Sequence, residues 1–510
     1  MTSLLSLIEV TGTIEPEKCD RVMPTMQSRV TIKALKNHSG TLLCTAFLAI
    51  LIPLSGCSDG SDGIRPVSGL QVGAAKRDIT PTADTAPPDG SSVFLGGYGL
   101  GPERPSTGVL EPIYVRAFVV NGPNGTLAFA QNETQGMFAA YEQGPYGLLD
   151  VAAAVEAATG GGIPRSHVII GSDHSHAGPD TIGVWGGVPE SYLTYLRDQT
   201  VAAIVAAYES RTPAELSIGA VDATDLIRSQ FDEPPNAVVD GELRVLVATE
   251  PDDATSVIAA MINFSAHATV MGSDNTLISG DWPSVVASSI ESELGIDTAL
   301  VMVADVGRTQ PQRDIGGGDT NEERLRSYGA LVEERALLAM ADLEPVEGDE
   351  VSVTQRFLRE TYTNPVLPFV VLQGLILRSN TPPWLSAEEE TIGTVVSAAR
   401  IGNVLFAAVP GEGYPAIQLA MEERVEAQQH FFFGLANDQL GYLIAPEEGY
   451  PDILAAAPDN DNAVFNVSSQ IGDHVQCALL AAAADIELLV EPDEARCAQY
   501  ADENAQIPGM

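Results

Sequence analysis

His174 and His176 stand two apart in Gly171-Ser172-Asp173-His174-Ser175-His176-Ala177-Gly178-Pro179, directly after the β-branched run Val168-Ile169-Ile170. On extended backbone two imidazoles at that spacing point to one side and can meet one metal ion or one substrate. A histidine pair at a strand end also has a plainer explanation, hydrogen bonding to neighbouring backbone, so the chemistry needs support from elsewhere in the chain. Three further apolar runs end in a metal-capable group: 256–264 leads to His267, 404–409 to Pro410-Gly411-Glu412, and 431–436 to Asn437 and Tyr442. Two histidines and a glutamate with one open position form a known catalytic zinc set. Each member keeps a structural alternative: Glu412 as the cap of a helix opening at Tyr414-Pro415, His267 as a core histidine satisfied by its neighbours.

These groups meet only if the strand ends are gathered in one place. Strand patterns at 126–131, 167–172, 215–221, 243–249, 256–264 and 298–304 alternate with helix patterns at 148–159, 190–208, 283–294 and 321–343, with a last helical run near 474–490. Such alternation predicts an α/β fold, mixed β-sheets covered by helices, with the site at the carboxyl ends of strands. Gly96-Gly97-Tyr98-Gly99 can bring backbone close to a ligand, but it lacks the preceding strand and following helix of a nucleotide fingerprint. Residues 366–378 are the most apolar stretch outside the N-terminal region, too short and too broken by Pro368 and Gly374 to cross a bilayer. Core burial is the default for that stretch, and lining for a lipid chain is the alternative.

The 510 residues carry a net charge of −43, and Lys76 is the single lysine after position 57. Nucleic acid is not an expected partner, because phosphate binding needs a basic footprint. An acidic, lysine-poor surface suits salty surroundings, where screening relaxes self-repulsion, and it equally suits plain solubility. Residues 41–54 form an apolar run behind Lys33 and Lys36 and end in Leu54-Ser55-Gly56-Cys57, which resembles a bacterial lipobox. The expectation is an exported lipoprotein of the outer membrane or periplasm, held to the membrane by a lipid on Cys57, with Met26 as initiator and Met23 the second choice. Residues 1–57 are then a signal region, 58–71 a tether, 72–490 the folded domain and 491–510 a polar tail. Cys477 and Cys497, the two cysteines left as free thiols in an exported, lipidated product, are expected to be bridged. No oligomeric state follows from the sequence.

Gly-Ser-Asp-His-Ser-His-Ala-Gly-Pro at 171–179 resembles the Gly-Thr-His-Thr-His-Ser-Gly-Pro segment of neutral ceramidases. Thr107-Gly108 with Tyr114-Val115-Arg116-Ala117-Phe118, then Leu226-Ile227-Arg228-Ser229, His267, Pro410-Gly411-Glu412 and Gly441-Tyr442 follow in that family's order. The resemblance implies a zinc-dependent amide hydrolase that cleaves the N-acyl bond of ceramide or a similar N-acyl lipid. It implies His174, His267, Glu412 and Tyr442 as zinc ligands, and His176 and Arg228 as substrate contacts, His176 passing a proton to the leaving amine. Where the family has Gly-Asp-Val-Ser-Pro, with the serine proposed as nucleophile, this chain has Gly307-Arg308-Thr309-Gln310-Pro311. A glutamine amide is not deprotonated to attack a carbonyl, so Gln310 is expected to position substrate. The loss of that serine also leaves open a lipoprotein that holds metal and a lipid-like ligand without turning it over. Asp173 is expected as a carboxylate partner for a ligating imidazole.

Overall fold

Strand Tyr114–Asn121 shows how the core is layered, because Val115, Ala117 and Val119 face one apolar cluster while Phe118 and Val120 face another. A strand buried on both faces needs a cover on each side, here helices on one and other sheets on the other. The structure is a computed structural model that describes residues 69–85, 93–99, 101–230, 238–445, 461–500 and 507. The 1–57 region, Cys57 included, and most of the 58–71 tether lie outside the described residues; strand Gln71–Asp78 starts on the tether's last residue.

Among the described residues there are three larger sheets. The first orders its strands Val168–Ser172, Thr126–Asn132, Tyr114–Asn121, Gln71–Asp78, Thr212–Pro213. In the second the order is Ala299–Val303, Asp253–Phe264, Glu242–Glu250, Glu215–Asp222, Glu344–Pro345. The third runs Val351–Thr361, Thr391–Ile401, Val404–Ala408, Gln429–Phe433. Each is antiparallel except for one parallel pair at an edge. A parallel pair needs a crossover, and helices Leu148–Ala158, Asp281–Leu294 and Pro415–Arg424 lie in the three crossovers. The α/β expectation with mixed, helix-covered sheets therefore holds, and the helices and strands read from 126 to 343 recur within about three residues at their ends.

Where the sheets meet, Phe118, Phe129, Leu246, Met261, Phe406 and Phe431 share one buried cluster. Phe406 has its ring centroid 5.1 Å from those of both Phe129 and Phe431. Two buried amides staple the layers. Asn263 donates to Phe432 O (2.9 Å) and accepts from Phe432 N (3.1 Å), tying the second sheet to the third. Asn437 accepts from Ile170 N (3.0 Å) and donates to Ser397 Oγ (2.8 Å), tying the third to the first. At the C-terminal end Cys477, in helix Ile471–Asp485, is bridged to Cys497 with Cα atoms 5.6 Å apart, as expected. Among the described residues no helix is long and apolar enough to cross a membrane.

Candidate metal centre

The carboxyl ends of the three parallel pairs deliver the site. Gln135 follows Thr126–Asn132, His174 and His176 follow Val168–Ser172, and His267 follows Asp253–Phe264. Residues 306–310 follow Ala299–Val303, Glu412 follows Val404–Ala408, and Tyr442 lies beyond Gln429–Phe433. Short pairing of Glu412 with Tyr442 aligns the last two crossover ends.

Strand alternation is not what brings His174 and His176 together, which corrects the reading from spacing. The strand stops at Ser172, His174 adopts a left-handed φ of 60°, and the chain turns at His176. Left-handed backbone at a non-glycine residue persists only where its surroundings hold it. Asp173 N donates to Asn132 O (3.0 Å), His176 N to Ala268 O (3.0 Å), and Arg104 Nη1 to His176 O (3.0 Å). Gly97, at φ +85°, backs onto the His176 imidazole, where a Cβ would overlap the ring. Asp173 does not serve an imidazole: its Oδ1 accepts from Ser175 N (3.1 Å), because a short carboxylate at such a turn bonds its own backbone two residues on.

The donor atoms converge. Nε2 of His176 lies 3.4 Å from Nε2 of His174 and 3.2 Å from Nε2 of His267. Glu412 Oε2 lies 3.4 Å from His174 Nε2 and 3.7 Å from His267 Nε2, and no hydrogen bond reaches it. His174 Nδ1–H donates to Gln135 O and His267 Nδ1–H to Val306 O, both at 2.7 Å, so each ring turns an Nε2 lone pair inward. Burial, with His174 alongside, pushes His267 down to about 4. Burial, then His267 and His174, push His176 well below the usual histidine value. Burial pushes the Glu412 carboxyl up, but His174, His267 and a hydrogen bond from Tyr442 outweigh it and leave the group below the usual range.

Neutral imidazole lone pairs and a carboxylate oxygen packed this closely repel one another unless a cation lies among them. Donors of a tetrahedral zinc with bonds of about 2.0–2.1 Å stand roughly 3.3 Å apart, close to the separations seen here. The residues therefore fit a metal ion, with His174, His176 and His267 as the three-histidine group. His176, expected at the substrate, sits with its Nε2 inside the donor cluster.

His174, His176, Glu412 and Tyr442 also line a recess whose walls are apolar, built from Phe138, Ile182, Val184, Trp185, Leu367 and Val370 among others. Asp180, fully buried, shapes one wall by accepting from Gly183 N (2.8 Å), Trp185 N (2.7 Å) and Gly187 N (2.9 Å). Val370 and Leu367 come from helix Val366–Leu372, so the 366–378 stretch does line a cavity.

Two of the expected site residues lie elsewhere. Arg228 is exposed, hydrogen-bonds Ser229 O (3.3 Å) and lines a separate surface hollow with Asp225 and Asp314. Gln310 pairs with Arg228 across a short ladder and accepts from Thr269 Oγ1 (2.8 Å). Neither lines the recess. Gln135 and Gln439 do line it, and each has a buried Oε1 without a hydrogen-bond partner. Nothing in residue type or spacing singled out these glutamines; the Gly96–Gly99 loop, which supplies Tyr98 to the recess, was legible as a place of close approach.

The fold and site together define an α/β protein with a histidine-carboxylate metal-capable centre at one end of an apolar recess. Residues 70–310 match the family model for the N-terminal part of neutral/alkaline non-lysosomal ceramidases, so the resemblance read from the motifs is shown. That match takes in His174, His176, Arg228, His267 and Gln310 and stops short of Glu412 and Tyr442. The crystal structure of neutral ceramidase from Pseudomonas aeruginosa has the same fold, with a TM-score of 0.66 and 20% identity over 84% of this chain and 77% of that one. A ceramidase complexed with C2 is similar at a TM-score of 0.64 and 19% identity, over 83% and 76% of the two chains. No curated protein matches the sequence.

Proposed function

We propose that this chain is a zinc-dependent amide hydrolase that cleaves the N-acyl bond of ceramide or a similar N-acyl lipid. The observation that carries the reading is the meeting of three histidine nitrogens and a glutamate oxygen with an apolar recess of the kind an acyl chain fills. The family match over residues 70–310 supports the same chemistry. His174, His267, Glu412 and Tyr442 are the proposed ligands, Tyr442 also hydrogen-bonding Glu412. Zinc held there supplies Lewis-acid polarisation of a carbonyl and acidifies water.

The other roles fall to the chain's own groups. Phe138, Ile182, Trp185 and Leu367 hold the acyl chain and exclude bulk water. Gln135 and Gln439 turn buried amide oxygens toward the recess and accept hydrogen bonds from the hydroxyl or N–H groups of the head. His176, the base nearest the proposed ligands, takes a proton from the attacking water and passes it to the leaving amine, work worth about two to four decades in rate. One observation favours a second reading, a metal-containing lipoprotein that binds such a lipid without turnover: Gln310, where the family has its serine, is bonded to Thr269 and stays off the recess.

Metal analysis paired with a panel of N-acyl lipids separates the two. The hydrolase reading expects one zinc per chain and release of fatty acid that a chelator stops and zinc restores. Stoichiometric zinc with no fatty acid released from any member leaves the binding reading. The export signal and lipidated Cys57 belong to the same proposal, and the intact mass of membrane-extracted protein decides them. A product that retains residues 26–56 removes the anchor.

A further inference from the structure

Eight large apolar side chains are exposed among the described residues, and three of them crowd into one short segment: Phe369, Leu372 and Leu375, exposed by 57%, 44% and 56%. The other five, Val109, Val238, Ile315, Leu338 and Leu489, are scattered singly along the chain, as is ordinary for a protein surface. Helix Val366–Leu372 and the turn after it therefore have two apolar faces. Leu367, Val370 and Ile376 line the recess, while Phe369, Leu372 and Leu375 face outward beside it. From Thr363 to Leu377 there is no charged side chain, in a chain where 19% of residues are charged. The first charge after the segment, Arg378, is turned inward onto Asp438 and Gly393 O and so anchors the segment to the third sheet.

We propose that this outward face is where the protein seats itself on an electrically neutral lipid surface, so that a lipid passes from that surface into the recess along a continuous apolar path. The proposal rests on the reading of the recess as a lipid site. Two features choose a lipid surface over a protein partner. The patch is continuous with the recess wall through a single helix, so whatever covers it also covers the entrance. It also offers no charge or salt bridge for specific recognition, while a net charge of −43 repels anionic surfaces and leaves a zwitterionic one acceptable.

Phe369→Trp in the full chain, read as a difference from the wild-type emission of its three tryptophans, reports the patch locally. With phosphatidylcholine vesicles the expected result is a blue shift of the added emission and its quenching by phosphatidylcholine brominated in the acyl chains. An added tryptophan that stays in water, unshifted and unquenched, overturns the proposal even if the chain is tethered to the vesicle by its N-terminal region. A Phe369→Asp/Leu375→Asp double variant should lose at least tenfold in rate on an N-acyl lipid in phosphatidylcholine vesicles and keep its rate on a water-soluble short-chain substrate. Equal losses on both substrates, or conversion of a dimer to a monomer in sedimentation, overturn it in favour of a structural or self-association face. If the wild type hydrolyses no N-acyl lipid at all, the proposed activity fails, while the tryptophan readout needs no turnover and still decides the docking face.

Discussion

At position 97 a single methyl group should be enough to disturb the site. Gly97 has φ +85° and its Cα faces the His176 ring, so Gly97→Ala combines a strained backbone with a clash. We expect about 1–3 kcal/mol less stability and at least a tenfold fall in turnover, measured by urea midpoint and fatty-acid release. His176 itself tests its assignment. His176→Gln should keep zinc at one per chain while kcat falls by about two to four decades; a chain that loses its zinc makes His176 a ligand instead. His174→Ala should lose both metal and activity. Gln310→Ala frees Thr269 Oγ1 but leaves the lining of the recess intact, so KM and kcat for fatty-acid release should both stay close to wild type. Residue type singled out His174, His267, Glu412 and Tyr442, because few side chains can hold a metal, and the structure brings the four together. Arg228 was misplaced because motif order says nothing about which way a side chain on a surface ladder points. Gln135 and Gln439 were missed because a glutamine becomes informative only once its partners are seen to be absent.

Elements were legible where packing is repetitive. Strand Val168–Ser172 is buried throughout and reads as a β-branched run, and helix Glu190–Glu209 shows its buried stripe at Leu193, Leu196, Thr200, Ala203 and Ala207. The long antiparallel partners Val351–Thr361 and Thr391–Ile401 were not read. The first carries Gln355, Arg356, Arg359 and Glu360 among its apolar residues, and the second is thinned by Gly393, Ser397, Ala398 and Ala399, so neither shows a clean period of two. Their pairing with each other, not local preference, makes them strands. Cross-sheet staples were equally invisible, since Asn437 looks like a turn residue until Ile170 N and Ser397 Oγ are found on either end of its amide. Asn437→Ala leaves both groups unpaired in the interior and should cost about 2–5 kcal/mol, read from the urea midpoint.

For the whole molecule, the C-terminal helix carries long-range ties, two of which can be tested directly. The Cys477–Cys497 bridge closes a short loop, and Cys477→Ser/Cys497→Ser should cost about 3 kcal/mol in a thermal or urea melt. His474 Nδ1 meets the buried Glu360 carboxylate at 2.6 Å, and that hydrogen bond, against the opposing effect of burial, raises the histidine above its usual value. A group whose pKa rises on folding stabilises fully below its unfolded value of about 6.5, and the contribution disappears as pH climbs through the folded value. Thermal stability should therefore decline as pH is raised above about 6.5, with Asp473 the other acid acting on His474, and His474→Gln should flatten that part of the profile.

His174 hangs from the first sheet, His267 from the second and Glu412 from the third, with the packed rings of Phe129, Phe406 and Phe431 behind them. No sheet can slide against its neighbours without altering the spacing of the donors. Metal affinity is then a gauge of how the three layers are seated, and truncating Phe406 in the distant core should weaken zinc binding although its ring touches no ligand. Conversely, an ion at that junction works as a rivet through three plates, so its removal should loosen amide hydrogen exchange in all three sheets together and not only in the loops around it.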